Sequence, residues 1–346
     1  MFSKPGNLAG APIVSVIVLN YNGLKYLGPG LRECLDSVID CSYPRKEIIF
    51  VDNGSVDGSI AFVKEHYDGK ITVIENSRNL GFSEGFNTGI RASNGEYFAL
   101  LSNDMVVDRH WLEPVVALME SDQKVGLAGC KRLAYGSTKL LDGIGADLYL
   151  CGRVTSVGLE ELDHGQYDAN IYDLAFIGGV MIVRRKTVET AGMLDPELKL
   201  FSEDIDLCFR IRKAGSKVVY VYKSVLWHKA SATFAGMSRD ATARALIEFS
   251  RERNRIRTNI IYFRLPRLLS AFLIDFIWLV VDPNCTTKRM LLKGYLWNLQ
   301  RIALTLRKRR RYAPSPPYGC KYGKHLSLRD PLARLLHRER REVLRN

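Results

Sequence analysis

An alternation of short apolar runs and helical segments in the N-terminal third constrains the fold more than any other feature of the sequence. Residues 13–19 and 47–51 are β-branched, apolar runs of the length typical of buried strands. Between them, residues 31–39 carry apolar side chains at helical spacing. A helix between two such strands indicates a βαβ unit with parallel strands. The sequence therefore predicts an α/β protein with a doubly wound, mainly parallel sheet.

The alternation continues along the chain, and polar residues follow each predicted strand. Segments 59–66 and 84–92 are predicted helices, whereas 71–75 and 97–101 are predicted strands. Ligands of doubly wound sheets bind at the carboxyl ends of the strands. Turn formation explains polar residues after any single strand, but four such ends in register indicate a binding edge. The residues are Asn20, Tyr21 and Asn22; Asp52 and Asn53; Asn76 to Asn79; and Asn103 and Asp104.

Seven motifs over residues 13–235 resemble those of one enzyme family. They are VSVIVLNYNG, EIIFVDNGSVDGS, NLGFSEGFNTGI, LLSNDMVV, FIGGVMIVRR, FSEDIDLCFRIRKAG and WHKAS. With these motifs the chain resembles an inverting glycosyltransferase of family 2 with a GT-A fold, close to the rhamnosyltransferase-like branch. A Rossmann dinucleotide fold is the competitor, but the first strand runs into NYNG rather than GxGxxG.

The resemblance implies both an activity and a set of donor-binding residues. A sugar would pass from a nucleoside-diphosphate sugar, dTDP-rhamnose or a UDP-hexose, to a hydroxyl of a saccharide or lipid-linked saccharide in cell-surface polysaccharide synthesis. Asp52 would contact the base or ribose, since a carboxylate accepts their hydrogen bonds. A helix cap is the alternative role for Asn87. The implied nucleotide-sugar site comprises Asn20, Asn22, Asp52, Asn53, Asn79, Gly81, Asn87, Asn103 and Asp104.

A metal site is implied where the family has its DxD motif. This chain has Ser102-Asn103-Asp104 there, so the last carboxylate remains. His228, in WHKAS, matches the position of a second ligand in related enzymes. Asp104 and His228 would together bind Mn²⁺ or Mg²⁺ and help neutralise the departing diphosphate. A hydrogen-bonded structural histidine is the alternative interpretation of His228.

The segment FSEDIDLCFRIRKAG is predicted to be a helix that begins near Ser202, with Leu207, Ile211 and Ala214 facing inward. Its early carboxylates would complement the helix macrodipole, but that effect does not require three of them. The resemblance assigns Asp204 as the general base, with Glu203 beside it in the catalytic pair.

The acceptor side of the site is implied by four further residues. Asp206 would orient the acceptor or brace the loop, and Trp227 is assigned to the acceptor site. Gly178 and Gly179 are expected to end a strand beneath the catalytic pair and to leave room for a sugar ring. Tight packing explains such glycines equally well.

Two other functions remain as alternatives. A nucleotidyltransferase would make a nucleotide sugar on a similar sheet, but it needs a Gly-rich basic loop after the first strand, where this chain has NYNG. A non-catalytic saccharide-binding protein would not need Glu203, Asp204 and His228 together.

The positive charge is concentrated in the C-terminal third. Residues 236–346 hold 25 of the 50 Lys and Arg but 8 of the 37 Asp and Glu, a net charge of +17 against −4 for the rest. Within this basic, mainly helical region, residues 268–281 form an apolar run too short to span a bilayer, and Lys308 to Arg311 form a basic block. These features favour an anionic membrane surface as a partner. A helical subdomain covering the core is the alternative, and nucleic acid is not expected because no known binding module is present.

Cysteine usage and the first residues predict where the protein works. The seven cysteines show no CxxC pair, which is typical of a reducing cytosol. Residues 1–12 lack the apolar or Arg-rich character of a signal or transit peptide and are expected to be flexible. We therefore expect a cytoplasmic protein that associates peripherally with the cytoplasmic face of a membrane.

Overall fold

A mixed nine-stranded sheet organises the described part of the chain, which in this computed structural model comprises residues 10–172, 174–229, 241–283 and 285–312. The strand order is β3-β2-β1-β4-β10-β6-β11-β5, with β7 paired to β6 and β8 and β9 forming a separate hairpin. The strands are β1 Val14–Asn20, β2 Lys46–Asp52, β3 Thr72–Glu75, β4 Tyr97–Ser102, β5 Met105–Val107, β6 Val125–Ala134, β7 Leu141–Gly143, β8 Gly145–Leu148, β9 Val154–Val157, β10 Met181–Arg184 and β11 Lys217–His228.

Helices cover both faces of this sheet and then continue beyond it. They are α1 Gly23–Leu27, α2 Pro29–Asp40, α3 Ser59–Tyr67, α4 Phe82–Ala92, α5 Leu112–Ser121, α6 Arg185–Ala191, α7 Glu203–Lys213, α8 Ala241–Tyr262, α9 Leu265–Val281, α10 Cys285–Gln300 and α11 Ile302–Tyr312. The predicted helices and strands of the first hundred residues are confirmed. The inward position predicted for Ala214 is wrong, because it lies exposed beyond the end of α7.

The central strands are buried on both faces because α-helices pack on each. All seven residues of β1 are buried. Ile17 and Leu19 belong to the core that contains Phe86 of α4, whereas Val16 and Val18 belong to the core that contains Leu35 of α2. This division follows from the two-residue period of a strand, which sends successive side chains to opposite faces.

Strand direction explains which residues reach the polar edge. β1, β2, β3 and β4 are parallel, and β6 pairs in parallel with β11. β10 is antiparallel to both β4 and β6. Its amino end therefore lies at the edge where the neighbouring strands have their carboxyl ends, which brings Gly178 and Gly179 there. The prediction that these glycines end a strand is wrong, since they precede β10.

The C-terminal helices pack on the sheet domain and share its core. Ile256 and Ile260 of α8 lie in the same buried cluster as Leu207 of α7. None of the helices within the described ranges combines the length and apolarity that crossing a bilayer requires. Several predicted features lie outside the described residues. They are the domain boundary at residue 235, the last two residues of WHKAS, most of the flexible segment 1–12 and the basic residues after 312.

Candidate functional site

A chain of buried polar side chains forms the floor of the polar edge. Asn103 Nδ2 donates to Asn20 Oδ1 at 2.6 Å, and Asn20 Nδ2 donates to Asp52 Oδ1 at 2.9 Å. The other Asp52 oxygen accepts from the backbone N–H of Ser55 at 2.8 Å. Asp52 is fully buried. Asp52 therefore orients Asn20 and the loop after β2, and its contact with a base or ribose stays a prediction.

Asn22 and Asn53 join neighbouring loops of the same edge. Asn22 has a left-handed backbone, with φ of 50°, and its Oδ1 accepts from the N–H of Val56 at 2.9 Å. Its side-chain oxygen therefore holds the β2–α3 loop, and its contact with a nucleotide sugar stays a prediction. Asn53 Nδ2 donates to Asn79 Oδ1 at 3.2 Å and to the Gly81 carbonyl at 3.1 Å, which fixes the loop before α4.

A cleft of about 170 Å³ opens above this floor. Pockets for drug-sized ligands typically have about 300 Å³ or more, so the cleft encloses only part of a larger ligand. Its apolar walls include Tyr21, which belongs to the predicted binding edge, and Phe82 and Leu200, which were not predicted from the sequence. Aromatic residues directly beside strand-end asparagine and glycine were the available signal. The cleft is lined by Leu19, Asn20, Tyr21, Asn53, Asn79, Gly81, Phe82, Ser102, Asn103, Asp104 and Leu200.

Asn87 does not face this cleft. It is buried within α4, where its Nδ2 donates to the Leu194 carbonyl at 2.9 Å and its Oδ1 accepts from the Leu194 N–H at 3.1 Å. Both ends of the amide are therefore used to hold the segment before α7. This corrects its predicted nucleotide contact and also excludes the alternative of a helix cap.

Asp104 and His228, the two predicted metal ligands, lie together. His228 Nε2 is 3.3 Å from Asp104 Oδ2. Asp104 Oδ1 is buried and has no hydrogen-bond partner among the described residues. An imidazole nitrogen and an unsatisfied carboxylate oxygen fit a divalent cation such as Mn²⁺. Within the described ranges no cluster of three or more His, Cys, Asp or Glu could hold a metal ion, so other ligands would come from phosphate and water.

Asp142 orients His228 and was missed in the sequence. Its Oδ2 lies 3.0 Å from His228 Nδ1 and accepts from Arg132 Nε at 3.0 Å. Burial opposes ionisation of Asp142, but the hydrogen bond from His228 and the charge of Arg132 lower its pKa to about 2. A carboxylate on Nδ1 fixes the orientation of the ring, the usual arrangement around metal-binding histidines.

Glu203 and Asp204 open α7 beside this group. Asp204 Oδ1 accepts from the Ile205 N–H at 2.8 Å. Its Oδ2 would lie 2.4 Å from a Cβ built on Gly178, so only glycine leaves room for this oxygen. Burial raises the pKa of Asp204, and burial together with the Asp204 charge raises that of Glu203. A carboxylate with a raised pKa is suited to accept a proton near neutral pH.

Two residues predicted for the acceptor site make hydrogen bonds within the protein. Asp206 accepts hydrogen bonds from Arg210 Nε at 2.8 Å and from the Tyr262 hydroxyl at 2.6 Å. It therefore braces α7 against α8, and its orientation of the acceptor stays a prediction. Trp227 precedes His228 on β11, so the two side chains point to opposite faces. Its indole N–H donates to the Ser137 carbonyl at 3.1 Å, away from Asp104.

Arg132 connects the two halves of the site. Besides its bond to Asp142, its Nη1 donates to the Gly178 carbonyl at 2.5 Å, next to Asp204. Gly179, with φ of 85°, has Arg132 atoms 3.4 Å from where a Cβ would be. A continuous set of contacts thus runs from Asp104 through His228, Asp142 and Arg132 to the residue that packs on Asp204.

Comparisons with solved structures support the fold predicted from the motifs. The structure resembles GalNAc-T7, solved with UDP, GalNAc and Mn²⁺, with a TM-score of 0.60 at 16% identity; the match covers 86% of this chain and 58% of that chain. The α/β fold is therefore that of the GT-A type, with a mixed rather than a mainly parallel sheet.

Sequence comparisons identify the family. An uncharacterized glycosyltransferase of Haemophilus influenzae is 32% identical over 35% of this chain, and the O-antigen biosynthesis protein RfbC of Myxococcus xanthus is 26% identical over 65%. The chain spans 37% and 18% of the lengths of these relatives. The glycosyl transferase family 2 model matches residues 15–143, and that of glycosyl transferase family group 2 matches residues 97–304. The second match covers more than half of this chain, and the chain therefore belongs to glycosyl transferase family group 2.

Proposed function

We propose that this chain is an inverting glycosyltransferase that transfers a sugar from a nucleoside-diphosphate donor to a hydroxyl of a saccharide acceptor. The observation that carries the proposal is the juxtaposition of the Asp104–His228 pair with the half-buried carboxylate of Asp204, connected through Asp142 and Arg132. One group suits charge neutralisation at a diphosphate, and the other suits proton removal from an acceptor. The family match supports it, as does the resemblance to GalNAc-T7, which was solved with UDP and Mn²⁺.

The cleft would bind the nucleotide part of the donor. Tyr21 and Phe82 line the cleft and would pack against a base. Asn79 would offer its amide group to a base or ribose, while Asn53 holds the loop that carries Asn79. We propose dTDP-rhamnose or a UDP-hexose as donor, in line with the motif resemblance.

Asp104 and His228 would hold the divalent cation, and Asp142 would keep the His228 ring in place. Such a cation supplies positive charge to the diphosphate as it leaves. Arg132 stays beside Asp142 and Gly178, so its charge lies between the cation site and the base.

Asp204 would remove the proton from the acceptor hydroxyl as that oxygen attacks the anomeric carbon. The attack comes from the side opposite the diphosphate, so the anomeric configuration inverts. Because burial and the neighbouring charge raise the pKa of Glu203, Glu203 binds a proton more readily. A protonated Glu203 adds no negative charge beside Asp204.

The donor and the metal are tested together by thermal shift. UDP, GDP and dTDP are each added with and without Mn²⁺, because a ligand that binds the folded state raises its melting temperature. We expect one of the three nucleoside diphosphates to stabilise the protein in a Mn²⁺-dependent way. The Asp104→Ala and His228→Ala variants should lose that dependence. Turnover that continues in excess EDTA would exclude the metal, and release of pyrophosphate would favour a nucleotidyltransferase.

Exposed apolar side chains on α9 and α10 support the membrane association that was predicted from the sequence. Asp275, the one acid in the apolar run, is buried and accepts from Arg255 Nη2 at 2.8 Å and from the Tyr295 hydroxyl at 2.6 Å. This fixes which side of α9 faces inward. The opposite side of α9 exposes Leu265, Leu269, Leu273, Phe276 and Val280. On α10, Leu292, Leu296 and Leu299 are exposed as well.

Basic residues accompany this apolar face. Arg289 and Lys293 are exposed on α10 beside Leu292, and Arg307, Arg310 and Arg311 are exposed on α11. Apolar side chains flanked by cations match the acyl and headgroup layers of an anionic membrane. We therefore propose that α9–α11 bind such a surface and bring the site to a lipid-linked saccharide.

Flotation with phosphatidylserine-containing vesicles tests the membrane proposal. We expect the double variant Leu273→Glu, Phe276→Glu to float less than the native protein, and native flotation to weaken with added salt. Leu162→Glu, an exposed apolar residue remote from α9 in sequence, is the control. Equal flotation of all three proteins would refute the assignment of this face.

A further inference from the structure

The loop that leads into the catalytic pair has an unusual backbone. Lys199, Phe201 and Ser202 have φ values of 58°, 69° and 67°, in the left-handed region that side chains other than glycine rarely adopt. Glu203 follows directly as the first residue of α7. Such conformations persist only where surrounding contacts enforce them, and they cluster at functional sites.

The same loop also borders the donor cleft. The Lys199 carbonyl accepts from the N–H groups of Phe82 at 2.5 Å and Ser83 at 3.2 Å, in the first turn of α4. Leu200 lines the cleft. Gly81 permits this approach, because a Cβ there would lie 3.0 Å from Lys199 Cβ. The path of residues 198–202 therefore sets both the cleft wall and the start of α7.

One side chain of α8 holds this loop from behind. Asn254 is fully buried, and its Nδ2 donates to the carbonyls of Leu198 at 2.7 Å, Leu200 at 2.8 Å and Phe201 at 2.8 Å. Two N–H groups are thus shared among three acceptors. Arg253 Nε donates to Asn254 Oδ1 at 2.9 Å, and its Nη2 donates to the Leu198 carbonyl at 3.0 Å. Arg253 therefore fixes the amide with its nitrogen toward the loop.

We propose that Asn254 is a positioning residue for the catalytic pair. Its amide binds three carbonyls of the 198–202 loop, and this fixes the start of α7, where Glu203 and Asp204 lie. The proposal rests on the proposed role of Asp204. It also gives α8 a part in catalysis besides covering the core.

Asn259 provides a matched control on the same helix. It is also buried, and its Nδ2 donates to a single carbonyl, that of Cys151, at 2.8 Å. Asn254→Ala and Asn259→Ala thus each remove a buried amide from α8, but only the first releases the 198–202 loop. Asn254→Ser, which keeps one hydroxyl donor, should be intermediate.

The first readout needs no substrate. Lys199 is exposed in the loop, so trypsin cleavage after Lys199, followed by mass spectrometry on folded protein, reports how firmly the loop is held. We expect faster cleavage in Asn254→Ala than in Asn259→Ala or the native protein, with Asn254→Ser between them. An unchanged cleavage rate in Asn254→Ala would overturn the proposal whatever the protein's activity.

The second readout is kinetic and uses the donor found by thermal shift. A misplaced Asp204 should lower kcat by about tenfold or more, a larger factor than the change in the dissociation constant of the nucleoside diphosphate, because Leu200 is one of several residues that line the cleft. The acid limb of the kcat–pH profile should also move to lower pH, because a loosened Asp204 regains water. Faster cleavage with unchanged kcat and an unshifted profile would overturn the positioning role.

Failure of the proposed glycosyl transfer and failure of the positioning role of Asn254 give different results. Native protein that turns over no donor would refute the proposed glycosyl transfer, whereas active native protein with an equally active Asn254→Ala variant would refute the positioning role alone. If Asn254→Ala does not fold, Asn254→Ser carries the same comparison.

Discussion

Replacement of Gly178 by alanine should remove activity without removing donor binding. An alanine Cβ at this position would lie 2.4 Å from Asp204 Oδ2, whereas ordinary contacts begin at 3.4 Å. The carboxylate must therefore move by about 1 Å, and a displacement of that size can lower the rate by about 100-fold. In free energy this is about 2.7 kcal/mol of lost transition-state stabilisation. Gly178 has no left-handed φ, so the steric effect is separate from backbone strain.

The assay measures kcat from nucleoside diphosphate release and the donor dissociation constant by calorimetry. Gly95→Ala is the matched control, because its Cβ would lie 2.4 Å from Ser15 Oγ at the opposite edge of the sheet. We expect Gly95→Ala to lower the melting temperature but to leave kcat per folded molecule unchanged. A Gly178→Ala variant that keeps kcat within about threefold of native, well short of the expected loss, would show that the position of Asp204 does not govern the reaction.

Three further predictions concern the base, the metal pair and the C-terminal helices. Because burial raises the pKa of Asp204 and a base acts only when ionised, kcat should fall as the pH drops through this raised value; a flat acid limb would argue against it. Asp142→Asn should weaken Mn²⁺ binding by roughly 10-fold to 100-fold, measured by electron paramagnetic resonance, because it loosens the orientation of His228; unchanged binding would contradict this. Asp275→Asn leaves Arg255 paired with Glu252 alone, so we expect about 2–3 kcal/mol of destabilisation by chemical denaturation, and a change below about 0.5 kcal/mol, typical of a surface site, would refute the buried pair.

Local patterns predicted the parallel half of the fold but not the use of each polar side chain. Strand-end residues such as Asn20 and Asn103 do meet at one edge, because parallel strands place their carboxyl ends together. Asp52 and Asn87 have the same polar character, yet the structure shows them hydrogen-bonded to other residues of the protein. Residue type shows that a side chain needs partners. It does not show whether those partners are a ligand or the protein itself.

The residues that connect the site were missed because their partners are distant in sequence. Asp142 is 86 residues from His228, and Asn254 is 56 residues from Leu198. These contacts depend on the pairing of β6 with both β7 and β11 and on the packing of α8 against α7. No local motif encodes either arrangement.

The stereochemistry of transfer is the most direct test of a single displacement assisted by Asp204. Proton NMR follows the anomeric signal of the product formed from the donor that stabilises the protein, with native enzyme and with Asp204→Asn. We expect a product of inverted anomeric configuration from the native enzyme, and no product from Asp204→Asn although that variant still binds the nucleoside diphosphate. Retained configuration, or turnover by Asp204→Asn at the native rate, would contradict a single displacement with Asp204 as the base.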